Sequence, residues 1–192
     1  MSWEPSPGVL GRADVFSLLD ELAGILAERG LRGQLFLVGG AAMAVAYDSR
    51  RLTQDVDGVF EPKMAVYEAA KVVGERHDLP RDWLNDAVKG FLPGPDVEAR
   101  VYFDQPGLSV QVASPRYLFI LKAMAARQAR DADDLRTLYP LTGFTSVAQA
   151  LDAIERAYPG LAIAPRVAYF VQEVLAAPSA GGLDPPPAGP GP

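Results

Sequence analysis

The stretch LVGGAAMAVAYDSRRLTQDVDGVF, residues Leu37 to Phe60, decides how the first half of the chain folds. It predicts an apolar strand at Leu35 to Val38, a turn at Gly39-Gly40, and a short alanine-rich helix. A polar loop then leads to a second strand that carries Asp55 and Asp57. Because side chains alternate along a strand, these carboxylates point to one face and repel each other unless a cation lies between them. Mg²⁺ suits such an oxygen pair and usually binds together with substrate phosphates, so the stretch indicates a metal and a nucleotide.

Both parts of this stretch also have a structural interpretation. Gly39-Gly40 either attracts phosphate through the amides and dipole of a helix N-terminus or forms only a tight strand-to-helix turn. Asp57-Gly58 is a common turn pair, although Val56 and Val59 beside it are strand residues. We favour phosphate and metal binding because the acidic pair follows the glycine turn on the next strand.

The composition of this 192-residue chain excludes several classes of function. Cysteine is absent, which excludes disulfides, thiolate metal sites and cysteine nucleophiles. The single histidine, His77, follows a predicted helix, where it has an ordinary structural role, and one histidine argues against a serine–histidine triad. The net charge of −6 argues against a broad electrostatic grip on nucleic acid. No apolar run could span a bilayer and MSWEPSPG lacks a signal-peptide pattern, so we expect a cytoplasmic protein without a membrane partner.

The periodicity of the remaining chain predicts further helices and strands. Helical spacing of apolar residues predicts a helix from Asp14 to Arg29, and Pro62 stands at the first position of another that runs to about Arg76. Residues 79–93 resemble short helical turns. Strands are expected at Val97 to Phe103 and Leu108 to Val112, and helices at 115–128, 131–139, 145–157 and 165–176.

These elements predict an α/β (α+β) fold with a small mixed β-sheet flanked by helices. We expect the sheet-containing core at residues 12–113 and a C-terminal helical bundle at 114–177. The Pro/Gly-rich ends, 1–11 and 178–192, are expected to be flexible tails.

The second half carries charged residues on apolar helix faces. Lys122 shares a face with Leu118 and Leu121, so it lies in or beside a buried stripe, where a lysine needs an anion. A triphosphate would be such an anion; alternatively, the amine reaches water past the apolar edge.

In the next predicted helix, Asp131 and Asp134 share the inward face. Asp131 is either an inward-facing acid or simply the N-cap of that helix. Asp134 is expected to pair with Lys122 or Arg127, or to complete the acidic site.

Two separated motifs, found here in the same order, resemble a known enzyme family. The first is Gly-Gly, a short alanine-rich helix and R-x-T-x-D-x-D, and the second is a lysine-bearing helix followed by R-D-x-x-D-L. Together they resemble the nucleotidyltransferase fold of polymerase-β-like enzymes, and in detail the AbiEii and MenT-type toxin nucleotidyltransferases of bacterial toxin–antitoxin systems. The matching residues are Gly39, Gly40, Arg51, Thr53, Asp55 and Asp57 in the first motif, and Leu118 to Lys122 and Arg130 to Leu135 in the second.

The resemblance implies a Mg²⁺-dependent nucleotidyltransferase that moves NMP from an NTP onto an acceptor hydroxyl. It implies that Asp55 and Asp57 bind the metal, and that Thr53 contacts nucleotide or is phosphorylated through the action of an antitoxin. It also suggests a tRNA 3′ end as acceptor, so that the toxin blocks translation, and a cognate antitoxin as partner. The implied catalytic residues are Asp55, Asp57, Lys122 and Asp134, and the implied nucleotide-binding residues are Gly39, Gly40, Arg51, Thr53 and Lys122.

One position departs from the family pattern. Members of the superfamily carry a third acid on a later strand, and Gln111 occupies that place here. Three explanations remain open. Asp134 replaces the missing acid from its helix, Glu98 replaces it from the neighbouring strand, or the chemistry uses a single metal ion.

Side chains outside the motifs could serve nucleotide or RNA binding. Trp83 could stack on a base and Asn85 could hydrogen-bond one, although we favour Trp83 as part of a small core. The basic residues near the expected site are Arg50, Arg51, Arg100, Arg116, Lys122, Arg127 and Arg130.

Three other functions remain open on the sequence. The acceptor could be a protein hydroxyl instead of RNA. The chain could be a non-catalytic nucleotide-binding or partner-binding domain, which the missing strand acid favours and the Asp55/Asp57/Lys122 set opposes. It could also be a kinase substrate or interaction partner, in which Thr53 matters and turnover does not.

Overall fold

The computed structural model of the chain describes residues 9–126 and 128–176, except for the side chains of residues 128–130. The predicted tail at 178–192 and the side chains of Arg127 and Arg130 lie outside this description. The elements follow one another as α1 (Arg12–Glu28), β1 (Gly33–Leu37), α2 (Gly39–Ala42) with a π-helical turn (Met43–Tyr47), β2 (Val56–Glu61), α3 (Lys63–Arg76), β3 (Leu84–Asn85), a 3₁₀ turn (Ala87–Phe91), β4 (Arg100–Gln105), β5 (Leu108–Val112), α4 (Pro115–Ala125), α5 (Gln128–Leu138), a 3₁₀ turn (Tyr139–Leu141), α6 (Val147–Ala157) and α7 (Pro165–Ala176).

The strands form one five-stranded mixed sheet in the order β3-β2-β1-β5-β4. β1 is central, antiparallel to β2 and parallel to β5, while β3 is parallel to β2 and β4 is antiparallel to β5. Helices flank the sheet, so the α/β class predicted from the sequence is confirmed.

One face of the sheet is covered by α1 and α3 and forms the main core. Leu35 and Leu37 of β1 point into it, as do Val110 and Val112 of β5, and all four are buried. The opposite face carries Gln34, Phe36, Asp57, Val59 and Gln111, and we call it the open face because these side chains are half-buried or exposed.

The C-terminal helices α4 to α7 pack on one another, and their buried apolar residues continue the same core. Phe119, Leu135, Ile154 and Val171 are fully buried within it. The bundle is joined to the core where α4 meets α2 and where α5 meets the π-helical turn. None of the helices in the described part of the chain combines the length and apolar character that crossing a bilayer requires.

The structure corrects several predicted boundaries in the first half. Leu10, placed in the loose N-terminal tail, is buried and pairs through its backbone with Thr53. Pro62 is the N-cap of α3 instead of its first residue. The segment 79–93 contains the two-residue strand β3 as well as a 3₁₀ turn, because Leu84 and Asn85 extend the sheet beside β2.

Two helices of the second half also differ from the prediction. The lysine-bearing helix ends at Ala125, because Ala126 adopts a left-handed conformation with φ of 45°. The following helix begins at Gln128, three residues before the predicted start.

Candidate functional site

The Gly39-Gly40 turn is closed tightly against the strand that follows it. A Cβ atom added at Gly39 would lie 2.6 Å from Oδ2 of Asp57, and one added at Gly40 would lie 2.5 Å from Oγ1 of Thr53. Gly39 also has a φ of +66°, which L side chains rarely adopt. Only glycine fits at both positions, so four residues of the first motif are brought into contact.

Thr53 is held from several directions and is only 2% exposed. Its backbone forms an isolated bridge with Leu10, through N···O distances of 2.6 and 2.9 Å. Its hydroxyl donates to the backbone carbonyl of Asp55 at 3.0 Å. The hydroxyl therefore fixes the course of the chain just before β2.

Asp55 lies in a bend one residue before β2, since that strand begins at Val56. The prediction that both acids lie on the strand was therefore wrong for Asp55. Its side chain is half-buried, like that of Asp57.

Asp57 lies within β2 and points to the open face. It is in register with Asn85 of β3, and the Asn85 side-chain amide donates to Oδ1 of Asp57 at 3.0 Å. Asn85, which the sequence suggested as a contact for a base, is thus a partner of the acid. Trp83 nearby is 1% exposed and donates from its indole nitrogen to the carbonyl of Ala70, so the core interpretation is confirmed.

The open face carries a cavity of about 290 Å³ beside the acidic strand. Phe36 of β1, Val59 of β2 and Gln111 of β5 are among its lining residues. Gln111 is in register with Phe36, so it lies on the same face as Asp57, where the third acid was expected. Glu98 precedes β4 and is exposed, so the prediction that it lies on the neighbouring strand was wrong.

A second group of charged residues lies where α4 and α5 meet the loop before β2. Lys122 Nζ lies 2.6 Å from Asp134 Oδ2 and 3.4 Å from Asp131 Oδ1. Arg51 donates to both oxygens of Asp134, at 2.9 Å from Nε and 3.2 Å from a terminal nitrogen. We call Arg51, Lys122, Asp131 and Asp134 the buried ion cluster.

The buried ion cluster balances two cations with two carboxylates. Lys122, Asp131 and Asp134 are 7%, 5% and 2% exposed, so each charge needs its partners. The hydrogen bonds to Asp134 raise the pKa of the Arg51 guanidinium above its usual value. The predicted inward position of Lys122 and its pairing with Asp134 are therefore confirmed.

The same contacts settle the alternatives for the two aspartates. Asp131 lies in the first turn of α5 and is buried against Lys122, so it is not the N-cap. Asp134 is held by Arg51 and Lys122. The catalytic role that the sequence assigned to Asp134 and Lys122 stays a prediction.

The donor chemistry at Asp55 and Asp57 fits Mg²⁺, which prefers carboxylate oxygens and completes its shell with water and substrate phosphates. Among the residues that the structure describes, no three or more histidine, aspartate or glutamate side chains are grouped to hold a metal. One or two carboxylates are what a substrate-borne Mg²⁺ usually requires from a protein.

The basic residues singled out in the sequence are used in different ways. Arg51 and Lys122 belong to the buried ion cluster. Arg116 is exposed, yet it donates to the carbonyl of Thr142 and its guanidinium carbon lies 5.2 Å from the centre of the Phe144 ring. Arg50 and Arg100 are exposed.

The link between Arg51 and Asp134 is the main contact that sequence reasoning missed. The two residues are 83 positions apart, and each had been considered separately as a nucleotide contact and an acid. The sequence did contain a signal for this contact. The matched motifs hold two cations and two inward-facing acids, a combination which predicts that these charges pair with one another inside the protein.

A scan of the chain against models of known protein families finds no match, and neither do searches of curated proteins and of solved structures. The family resemblance of the two motifs therefore stays a prediction.

Proposed function

We propose that this chain is a Mg²⁺-dependent nucleotidyltransferase that moves a nucleoside monophosphate from an NTP onto an acceptor hydroxyl. The observation that supports this most is the close packing of the Gly39-Gly40 turn against Thr53 and Asp57. A glycine turn at the start of a helix favours phosphate binding, and the carboxylate packed beside it supplies the kind of oxygen ligand that Mg²⁺ prefers.

In this proposal, Asp55 and Asp57 hold the metal and the glycine turn faces the phosphates. Mg²⁺, when bound, neutralises charge on the phosphate oxygens and on the departing pyrophosphate. The acceptor oxygen forms a bond to the α-phosphorus, the bond from that phosphorus to the bridging oxygen breaks, and pyrophosphate leaves while the hydroxyl proton passes to solvent.

The buried ion cluster has a supporting role in this scheme. Arg51 is two residues before Thr53, and its two hydrogen bonds to Asp134 tie the loop to α5. Lys122 can neutralise a phosphate tail, as the sequence suggested, only if it exchanges a carboxylate partner for that phosphate.

The acceptor and the biological role rest on the motif resemblance alone. It suggests a tRNA 3′ end as acceptor, translation as the process blocked, and an antitoxin as partner. The exposed Arg50 and Arg100 are compatible with RNA contact, whereas the net charge of −6 restricts such contact to a local patch.

The direct test is incubation with each α-³²P-labelled NTP, Mg²⁺ and either total tRNA or cell lysate. Label should transfer with the parent chain, and EDTA or Asp57→Asn should abolish the transfer. RNase and protease treatment of the product separates an RNA acceptor from a protein acceptor. Transfer at the parent rate by Asp57→Asn would refute the metal assignment.

A second candidate function is a non-catalytic nucleotide-binding or partner-binding domain. Two observations favour it, namely Gln111 at the place of the expected acid and the neutralisation of Lys122 by Asp131 and Asp134. Calorimetric binding of NTP without label transfer to tRNA or protein would support this alternative.

A further inference from the structure

Asn85 is the residue on the neighbouring strand that faces Asp57 directly. The two residues are paired in the parallel register of β2 and β3, and Nδ2 of Asn85 lies 3.0 Å from Oδ1 of Asp57. Because paired residues of adjacent strands point to the same face, both side chains lie on the open face.

The orientation of the Asn85 amide is fixed by its other contacts. Its Oδ1 accepts a hydrogen bond from the backbone N–H of Ala87 at 3.1 Å, at the start of the 3₁₀ turn. Its Nδ2 is also 3.4 Å from the carbonyl oxygen of Asp82, another acceptor. A flipped amide would direct its oxygen at two acceptors and its nitrogen at a donor, so Asn85 presents an N–H group to Asp57.

This contact distinguishes the two oxygens of the Asp57 carboxylate. Oδ1 is held toward β3 by Asn85, whereas Oδ2 lies on the side of the glycine turn, 2.6 Å from where a Cβ of Gly39 would be. The expected position of the substrate phosphates is also at that turn.

We infer that Asn85 is a positioning residue, which fixes the orientation in which the Asp57 carboxylate binds the divalent cation. This inference rests on the proposed function, because it takes Asp57 as a metal ligand. Residues that hydrogen-bond a metal-ligating side chain typically change metal affinity by about 10–100-fold when they are replaced.

The test is the equilibrium binding of Mn²⁺, measured by electron paramagnetic resonance without nucleotide, to the full-length chain and its variants. Asn85→Leu removes the donor at nearly constant volume, and we expect it to weaken Mn²⁺ binding about tenfold. Gln34→Leu makes the same amide-to-aliphatic change elsewhere on the open face and should leave the affinity unchanged.

A second variant separates positioning from folding, because Asn85 also orders the turn at Ala87. A serine hydroxyl can still accept from the N–H two residues ahead, but it is too short to reach Asp57. Asn85→Ser should therefore keep the thermal unfolding midpoint in EDTA near that of the parent and still lose about tenfold in Mn²⁺ affinity.

The outcomes distinguish this inference from the proposed function. If Asp57→Asn loses Mn²⁺ binding while Asn85→Leu and Asn85→Ser bind like the parent, the positioning role is refuted and the metal assignment stands. If Asp57→Asn itself binds Mn²⁺ like the parent, the metal assignment fails and the positioning role fails with it.

Discussion

Two aspartates of this chain, Asp57 and Asp134, differ in their burial and in their position in the fold. Asp57 is half-buried on the open face and accepts a hydrogen bond from the neutral amide of Asn85. Asp134 is 2% exposed and is held by the cationic side chains of Arg51 and Lys122. A buried carboxylate held by internal cations stabilises the fold, whereas a half-buried carboxylate on the open face lies where a ligand can reach it. On the proposed function, the buried ion cluster serves the fold and the Asp57 region serves ligand binding.

The largest expected effect concerns the buried ion cluster. Asp134→Asn keeps the shape of the side chain but leaves Arg51 and Lys122 without their shared counterion. We expect the free energy of unfolding to fall by about 3–5 kcal/mol, as is typical when one partner of a buried ion pair is removed. Urea denaturation of the parent and the variant measures this loss.

The control for Asp134 is its neighbour Asp133, whose side chain is 84% exposed and pairs with Arg136. Asp133→Asn should change the free energy of unfolding by less than about 1 kcal/mol. If Asp134→Asn and Asp133→Asn lower the free energy of unfolding equally, the buried carboxylate contributes no more to stability than the surface one, which contradicts this prediction.

The next effect concerns the glycine turn beside Asp57. Gly39→Ala forces a left-handed backbone onto an L residue and brings its Cβ within 2.6 Å of Asp57 Oδ2. We expect a loss of about 2–4 kcal/mol in the free energy of unfolding, together with loss of nucleotide binding. Thermal and urea unfolding, with a binding assay, measure both.

Two other glycines separate the causes of that loss. Gly30 has a φ of +68°, and no atom in the described part of the chain lies within 4 Å of its Cβ position, so Gly30→Ala should cost only the backbone strain of about 1–2 kcal/mol. Gly24 lies inside α1 and its Cβ position has no neighbour within 4 Å among the described residues, so Gly24→Ala should stabilise the chain by about 0.5–1 kcal/mol. If Gly39→Ala lowers the free energy of unfolding no more than Gly30→Ala does, Asp57 does not lie as close to the turn as the structure shows.

The contrast between Asp57 and Asp134 assumes that burial sets how much an ionic contact contributes to stability. A half-exposed ionic contact can test this assumption. Glu21 of α1 lies 2.5 Å from Arg76 and 2.6 Å from His77, both at the end of α3. Burial alone would raise the pKa of Glu21, but the hydrogen bonds with His77 and Arg76 outweigh it and hold the pKa below 4.5. The folded pKa is therefore lower than the unfolded one.

The sign of the pH dependence follows from this shift. The stabilisation by Glu21 is present above pH 4.5 and is lost as the pH falls through the lower, folded-state pKa. Glu21→Gln should lower the free energy of unfolding near neutral pH by less than about 1 kcal/mol and reduce its dependence on pH in the acid range. If Glu21→Gln lowers the free energy of unfolding as much as Asp134→Asn does, burial does not set the contribution of these ionic contacts to stability.

Periodic segments could be predicted from the sequence with little error. β5 is found at Leu108–Val112 and α7 at Pro165–Ala176, as expected, because apolar alternation and helical spacing are local properties. The inward position of Lys122 was predictable for the same reason. β3 was missed because two residues are too few to show a period, and its strand conformation depends on pairing with β2.

Contacts between distant segments could not be predicted in this way. No local pattern indicates that Arg51 reaches Asp134 or that Asn85 faces Asp57, because both contacts arise from how the sheet and the helices pack. The sequence motifs identified the charged residues, and only the fold shows which of them neutralise one another.

The central claim is that Asp57 serves ligand binding and Asp134 serves the fold. The most direct test is calorimetric binding of a non-hydrolysable NTP to Asp57→Asn in the presence and absence of Mg²⁺, with urea unfolding of the same preparation. We predict that Mg²⁺-dependent nucleotide binding is lost while the free energy of unfolding stays within about 1 kcal/mol of the parent value. Unchanged Mg²⁺-dependent binding, or unfolding as severe as that of Asp134→Asn, would contradict the account.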